Sequence, residues 1–197
     1  VAGDLFRERL TRDELRDAVG DMARVFGPFL QRGGSIVAVA GNHDHRAQIE
    51  TLRSALRLAP GADGRGRIHL FANADVVALT GRDGDRVQFV CLPFPDEAFL
   101  RGEWEGAGEM NRSRQETCRK VIAALQRRLD PALPSVFVSH IHVTGVPVGG
   151  RDDHRLGAED AVQLAPSDLP LDWAAYVALG HIHRAQSAVP GSDRVRY

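Results

Sequence analysis

Long apolar runs, secretion signals and paired cysteines are all missing from this sequence. No apolar run approaches the roughly 18 residues that a membrane-spanning helix needs, and no basic start followed by an apolar block predicts a signal peptide. The two cysteines, Cys91 and Cys118, have neither the spacing of a metal knuckle nor that of a disulfide framework. We therefore expect a cytoplasmic protein with two buried, reduced thiols and no membrane partner.

An excess of charge of one sign is also missing. The 25 basic residues are balanced by 26 acidic residues, and the net charge is -1 at pH 7. A protein without a global positive field is not drawn to nucleic acid by charge alone. All basic residues except Lys120 are arginines, however, and arginine binds phosphate oxygens in pairs. Local phosphate contacts therefore stay open, and composition does not choose the substrate.

The length of 197 residues suits one sizeable hydrophobic core rather than two. Helical and strand-like patterns alternate along the chain, which predicts a single α/β domain over residues 1–197. Thr11 and Glu14 form a capping box that opens a first helix, and Ser113 and Glu116 predict the start of a later helix. Two apolar runs around an Asp-Gly turn predict a β-hairpin.

Histidine-bearing segments follow three apolar runs that are typical of buried strands. They are residues 41–44 (Gly-Asn-His-Asp), 139–142 (Ser-His-Ile-His) and 180–183 (Gly-His-Ile-His). A fourth segment, residues 1–4 (Val-Ala-Gly-Asp), resembles the end of another apolar strand followed by an aspartate. The carboxyl ends of strands in an open α/β sheet converge on one crevice. We therefore expect the four segments to share a site.

The chemistry of these segments favours a hydrolytic metal centre. A carboxylate can bridge two divalent cations, an amide oxygen adds a neutral hard ligand, and imidazoles suit manganese, iron or zinc. A glycine before the polar residue allows the backbone to turn sharply off the strand end. A lone histidine after a strand is more often an ordinary hydrogen-bonded residue, about three times in four, but three clusters at strand ends reverse those odds.

The same residues carry a resemblance to the calcineurin-like metallophosphoesterases. Residues 3–6 (Gly-Asp-Leu-Phe), 41–46 (Gly-Asn-His-Asp-His-Arg), 140–145 (His-Ile-His-Val-Thr-Gly) and 178–183 (Ala-Leu-Gly-His-Ile-His) are similar, in that order, to motifs of the nuclease subunits of bacterial SbcCD complexes. The resemblance covers nearly the whole chain. It implies a four-layer α/β/β/α sandwich of two mixed sheets, two divalent cations, and cleavage of DNA phosphodiester bonds at or near ends.

The resemblance also implies a role for each site residue. Asp4 bridges the two cations, which are most often Mn²⁺, with Mg²⁺, Fe²⁺ or Zn²⁺ as alternatives. One cation is held by Asn42, His140 and His181, and the other by His183. His43 is the acid that protonates the leaving oxygen, as a histidine opposite the attacking water would. The candidates that orient these groups or contact the phosphate are Asp44, Arg46, His142 and Arg184.

Two parts of the family pattern have no counterpart in this sequence. The family carries an Asp-x-His motif on a first strand, upstream of the segment equivalent to residues 3–6, and it continues beyond the segment equivalent to residues 195–197 into a DNA-binding or partner-binding region. We therefore expect a domain truncated at both ends, with an incomplete metal site in which the cation next to His183 is held poorly.

Three functions remain open at this point. The first is a nuclease for DNA repair or recombination, working as a homodimer with a coiled-coil ATPase that resembles SbcC. The second is a phosphoesterase for a small phosphomonoester or cyclic nucleotide, with residues 145–170 as a cap over its pocket. The third is a non-catalytic module that binds DNA ends or a partner.

Overall fold

The computed structural model describes residues 1–6, 10–58, 67–81, 83–96, 107–148 and 162–197, with the backbone alone at 107–111. Within these residues the chain is an α/β protein with three helices and mixed β-sheet. The helices are α1 (Arg12–Gln31), α2 (Arg46–Leu58) and α3 (Ala107–Gln126). The strands are β1 (Ile36–Val39), β2 (Ile68–Phe71), β3 (Asp75–Thr80), β4 (Arg86–Leu92), β5 (Ser135–His140), β6 (His142–Val143), β7 (Gln163–Leu164), β8 (Tyr176–Gly180) and β9 (Val195–Arg196).

The main sheet has five strands in the order β3-β4-β5-β8-β9. The β3–β4 pair is the antiparallel hairpin that the sequence predicts, and the remaining pairs in this sheet are parallel. The register places His140 at the end of β5 opposite Gly180 at the end of β8. The histidine-bearing ends of these two strands therefore lie side by side.

Strands β1 and β2 form a separate parallel pair, to which Ala2 adds a parallel bridge at Val39. The chain between Val1 and Asp4 therefore runs along β1 toward the same edge, as its apolar start predicts. The pair β6–β7 is also parallel and joins residues about 20 positions apart. Neither two-residue strand is long enough to show a period in the sequence.

Three clusters of buried side chains hold these elements together. One face of the β1–β2 pair packs through Ala38 and Leu70 against Ile49 of α2 and against α1. Its other face packs through Val39 against β4 and β5. The largest cluster lies on the far face of the main sheet and includes Ile122 of α3. Helices α1 and α2 therefore pack on the β1–β2 pair, α3 packs on the main sheet, and side chains of both sheets meet in one apolar cluster.

The two helix starts predicted from capping boxes have different outcomes. Thr11 and Glu14 form both reciprocal hydrogen bonds of a capping box, which confirms the start of α1. The prediction for Ser113 is wrong, because α3 begins at Ala107. The carbonyl of Ser113 accepts a hydrogen bond from the Thr117 hydroxyl inside the helix. The upstream sequence Ala-Gly-Glu-Met contains three strong helix formers, so the helix extends through the motif.

The two cysteines are free and buried, as the sequence predicts. Burial raises the pKa of both thiols to about 12. Among the described residues, no helix is both long enough and apolar enough to cross a membrane.

Candidate metal centre

Three strand ends bring four of the predicted ligands together. Asn42 follows β1, His140 ends β5, and His181 follows β8. Asp4 joins them because the segment that starts at Ala2 is bridged to β1. Contacts from Asp4 to His140, from His140 to Asn42 and from Asn42 to His181 connect all four side chains, as expected from the placement of the segments at strand ends.

His140 is the best fixed of the four. The residue is 1% exposed, and its Nδ1 lies 2.6 Å from the carbonyl oxygen of Ala2. The other nitrogen, Nε2, lies 2.8 Å from Oδ1 of Asn42 and 3.3 Å from Oδ2 of Asp4. With Nδ1–H donating to the Ala2 carbonyl, Nε2 faces two oxygen acceptors. A protonated ring donates Nε2–H to them, whereas a neutral ring turns a lone pair toward them. In the neutral ring three electron-rich atoms converge on one point, where a metal cation would supply the positive charge.

His181 is buried and neutral at physiological pH. Burial, with the neighbouring imidazoles of His140 and His142 acting in the same direction, lowers the pKa of its imidazole to about 4. Its Nδ1 lies 3.1 Å from Oδ1 of Asn42. Its Nε2 is buried and has no hydrogen-bond partner. A neutral imidazole with an unpartnered, buried nitrogen is in the protonation state that a metal ligand needs.

The carboxylate of Asp4 accepts contacts from two of the loops. Oδ1 accepts a hydrogen bond of 3.1 Å from the backbone N–H of His43, and Oδ2 is the atom near His140. Burial alone raises the pKa of this carboxyl, but the hydrogen bond and charge of His140 and the amide of His43 outweigh it, and the net pKa is below the ordinary value. Asp4 is therefore ionised at neutral pH.

Backbone strain and close approach are concentrated at this site. Asp4 and His181 have φ angles of 51° and 92°, in the left-handed region that side chains other than glycine seldom adopt. A side chain at Gly41 would overlap the carboxylate of Asp4, and one at Gly180 would overlap the carbonyl of Ala2. The glycines before the ligands are thus required by contact between segments as well as by the turn that the sequence suggests.

Asp44 connects two of the loops. Its carboxylate accepts hydrogen bonds from the backbone N–H groups of Leu5 (3.1 Å), Phe6 (2.8 Å) and Gly41 (2.8 Å). Burial raises the pKa of this carboxyl, while the three amides and the nearby Asp4 act with smaller effects. Asp44 therefore holds the segment that carries Asp4 against the turn that carries Asn42.

The other predicted residues surround this group without joining it. His43, His183 and Arg184 are exposed, and the charge of His183 is the smallest of the influences on the low pKa of His181. His142 is half-buried, with its ring centroid 6.2 Å from that of His181. The guanidinium of Arg46 is paired with Asp96, Glu50 and Asn73. The roles that the resemblance gives these residues stay predictions.

Sequence reasoning missed one residue of the site, Phe94. It lies just beyond β4, and its ring centroid is 6.1 Å from that of His140 and 5.7 Å from that of His181. An aromatic residue carries no metal-ligating atom, so a search for ligands passes over it. The only signal in the sequence is its place after an apolar strand, between Pro93 and Pro95.

The donor atoms fit a divalent cation by their chemistry. Within the described ranges, His, Cys, Asp and Glu side chains alone form no group of three that could hold a metal ion, so a site here also needs the amide oxygen of Asn42. The fit therefore rests on the contacts that run from Oδ2 of Asp4 to Nε2 of His140, on to Oδ1 of Asn42 and from there to Nδ1 of His181. It rests also on the buried Nε2 of His181, which has no partner. This mixture of hard oxygen and imidazole donors suits manganese, iron or zinc.

Comparison with known proteins agrees with the motifs. The chain is 30% identical to the SbcD subunit of the nuclease SbcCD from Rhodobacter capsulatus over 173 residues, and 30% identical to SbcD of Escherichia coli (strain K12) over 191 residues. SbcD of Bacillus subtilis is 28% identical over 170 residues. No protein-family model matches the chain.

These matches cover 82–85% of this chain but only 41–42% of each relative. The chain thus spans about two fifths of the length of the curated relatives. The matches confirm the resemblance to SbcD nuclease subunits that the motifs indicate. The chain is similar in sequence to the SbcD subunits of SbcCD nucleases.

Proposed function

We propose that this chain is the catalytic part of a metal-dependent phosphodiesterase that cleaves DNA at or near ends. The observation that supports this most directly is the contact of Asp4, Asn42, His140 and His181 at the ends of three neighbouring strand segments. The relatives carry the name nuclease, which favours a phosphodiester of nucleic acid as the substrate. We also propose that the complete protein forms a four-layer α/β/β/α sandwich.

The four donors would hold a divalent cation, with a second one expected beside Asp4 and His183. When bound, such cations supply Lewis acidity toward a phosphoryl oxygen and a nucleophile at neutral pH. The residues of the chain set the geometry. The hydrogen bond to Ala2 fixes the ring of His140 so that Nε2 faces the site, and the amide of His43 fixes one oxygen of Asp4.

His43 would act as the general acid. Its backbone is fixed to Asp4 by the 3.1 Å hydrogen bond, whereas its side chain is exposed and is free to meet a substrate. An imidazole at that place can transfer a proton to the leaving oxygen of the phosphodiester. The position next to Asn42 would keep this proton donor close to the scissile bond.

The partners in this proposal are DNA, a coiled-coil ATPase resembling SbcC, and a second copy of the chain. A homodimer is supported by α1, in which no residue is buried and from which Val25 and Phe29 project with exposures of 58% and 46%. Sedimentation equilibrium of the complete protein tests this part, and a monomer at micromolar concentration would exclude it.

The function is tested by substrate comparison in the complete protein. We expect manganese-dependent cleavage of linear duplex DNA and of bis(p-nitrophenyl) phosphate, and no efficient turnover of a phosphomonoester. Dialysis against a chelator should abolish both activities, and added Mn²⁺ should restore them. Efficient monoester hydrolysis without attack on linear DNA, with and without the ATPase partner, would refute the nuclease assignment. The cap that this alternative needs lies partly at 149–161, outside the described residues.

Two substitutions separate the acid from the ligands. His43→Gln should keep metal binding and lower the rate of the chemical step by about 10² to 10⁴, the usual effect of losing a general acid. His181→Ala should lose the metal. His45→Gln, at an exposed neighbouring histidine, is the matched control and should change neither. Equal loss of metal in the His43 and His181 variants would show that His43 is a ligand.

A further inference from the structure

Phe94 packs against two of the proposed ligands from the end of β4. Its ring meets the imidazole of His140 at an interplanar angle of 73° and that of His181 at 31°. Ring pairs at these separations attract each other in edge-on and tilted arrangements. Because the phenyl group has no atom that could ligate a metal ion or transfer a proton, it can act on the site only by packing against the two imidazoles.

The backbone around Phe94 is itself held in place. Its N–H donates a 2.9 Å hydrogen bond to the carbonyl of Ala40, which directly precedes the ligand-bearing turn. Buried prolines at 93 and 95 restrict the chain on both sides. The carboxylate of Asp96 then accepts from the guanidinium of Arg46, at the start of α2. The ring therefore stands on a rigid segment rather than on a loose loop.

The two imidazoles depend on that ring to different degrees. His140 is fixed by contacts at both of its nitrogens. His181 has one such contact, at Nδ1, and its Nε2 has none. Its left-handed φ of 92° also departs from ordinary backbone geometry. Packing against neighbouring rings must therefore set the plane of His181, and Phe94 is the apolar one of these neighbours.

We propose that Phe94 is a positioning residue, whose ring fixes the imidazole plane of His181 beside Asn42 and so sets the direction of its ring nitrogens for binding the cation. The inference rests on the proposed function, because it assigns a ligand to the same metal. Residues that orient metal ligands usually contribute a factor of about 10 to 100 in metal affinity.

The test is the affinity of the complete protein for Mn²⁺, measured by isothermal titration calorimetry. Phe94→Leu keeps apolar bulk and removes the ring, and the dissociation constant should rise about 10-fold to 100-fold. Phe94→Tyr keeps the ring and should stay within about threefold of the wild type. Phe89→Leu is the matched control, because Phe89 is also half-buried on β4 but packs between the sheets. It should lower thermal stability as much as Phe94→Leu and leave the affinity unchanged.

A second reading comes from the metal-free protein. In its proton NMR spectrum, the ring C–H signals of His181 should shift in Phe94→Leu, through loss of the ring current, and stay in place in Phe89→Leu. Wild-type affinity in Phe94→Leu, or an equal loss in both leucine variants, would overturn the inference alone. A wild-type protein that binds no Mn²⁺ would overturn the proposed function as well. Should Phe94→Leu not fold, Phe94→Met decides by the same criteria.

Discussion

Replacing Asp44 by alanine should release the segment that carries Asp4 from the turn that carries Asn42. The carboxylate of Asp44 is the side-chain acceptor for the backbone N–H groups of Leu5, Phe6 and Gly41. The hydrogen bonds from Phe6 and Gly41 are buried, whereas that from Leu5 is partly exposed, so water can replace only the last one easily.

The magnitude follows from the two buried amides. A buried N–H left without an acceptor costs about 1 to 3 kcal/mol, so the two together cost roughly 2 to 6 kcal/mol. Domains of this kind are stable by about 5 to 15 kcal/mol in total, so the loss is a large fraction. At about 1.4 kcal/mol per factor of ten, local opening of the amides should become about 30-fold to 10⁴-fold more frequent.

Amide hydrogen exchange measures how often the backbone N–H groups of Phe6 and Gly41 open. In the complete protein, the protection of Phe6 and Gly41 should fall by that factor in Asp44→Ala, and the protection of strand β5 should change little. Asp13→Ala is the control, since Asp13 is exposed and its pair with Arg16 contributes little. If the protection of Phe6 and Gly41 in Asp44→Ala stays within about threefold of the wild type, Asp44 does not hold the two segments together.

Three further predictions test the fold and the substrate. The hydrogen bond from Arg119 lowers the pKa of Asp168 below 3.8, so the pair stabilises the protein fully above that pH and less as the pH falls through the lower folded value. The difference in melting temperature between wild type and Asp168→Asn should therefore be largest near neutral pH and vanish in acid. Burial and a thiol pKa of about 12 should protect Cys91 and Cys118 from iodoacetamide. Peptide mapping should therefore find both cysteines alkylated only after unfolding. Alkylation of either cysteine in the native protein would contradict the packing. Binding to linear DNA should weaken steeply with salt, because counterions are displaced from the DNA on binding. Because the net charge is -1, this binding should be weak without the ATPase partner. A DNA affinity, measured by fluorescence anisotropy, that does not change with salt concentration would argue for a small substrate.

Much of the fold could be predicted because strand and turn signals are local. The run that became β1 leads directly into Gly41, and the hairpin of β3 and β4 follows from apolar runs on both sides of an Asp-Gly turn. Pairings such as His142 with Gln163 could not be predicted, because two-residue strands have no period and their partners are distant in sequence. The predicted start of α3 at Ser113 was wrong, because a capping motif gives only a preference for a helix start. The strong helix formers upstream of the motif override that preference.

The candidate site could be predicted as a set of residues, but its inner arrangement could not. Strand-end placement was enough to bring Asp4, Asn42, His140 and His181 to one edge of the fold. The sequence does not say that Asp44 would turn toward backbone amides, nor that a phenylalanine would lie against two of the histidines. Both contacts depend on how segments that are distant in the sequence pack together, and a local sequence pattern does not predict that packing.

The choice of ligand nitrogen illustrates how the fold completes what the motif begins. A motif names His140 but gives no preference between Nδ1 and Nε2. In the folded chain the carbonyl of Ala2 lies 2.6 Å from Nδ1, which leaves Nε2 to face Asp4 and Asn42. That carbonyl can come so close only because Gly180 has no side chain to overlap with it. Gly180 at the end of β8 therefore allows the carbonyl of Ala2 to fix which nitrogen of His140 faces the other donors. The donors reach this geometry only when all three segments have assembled.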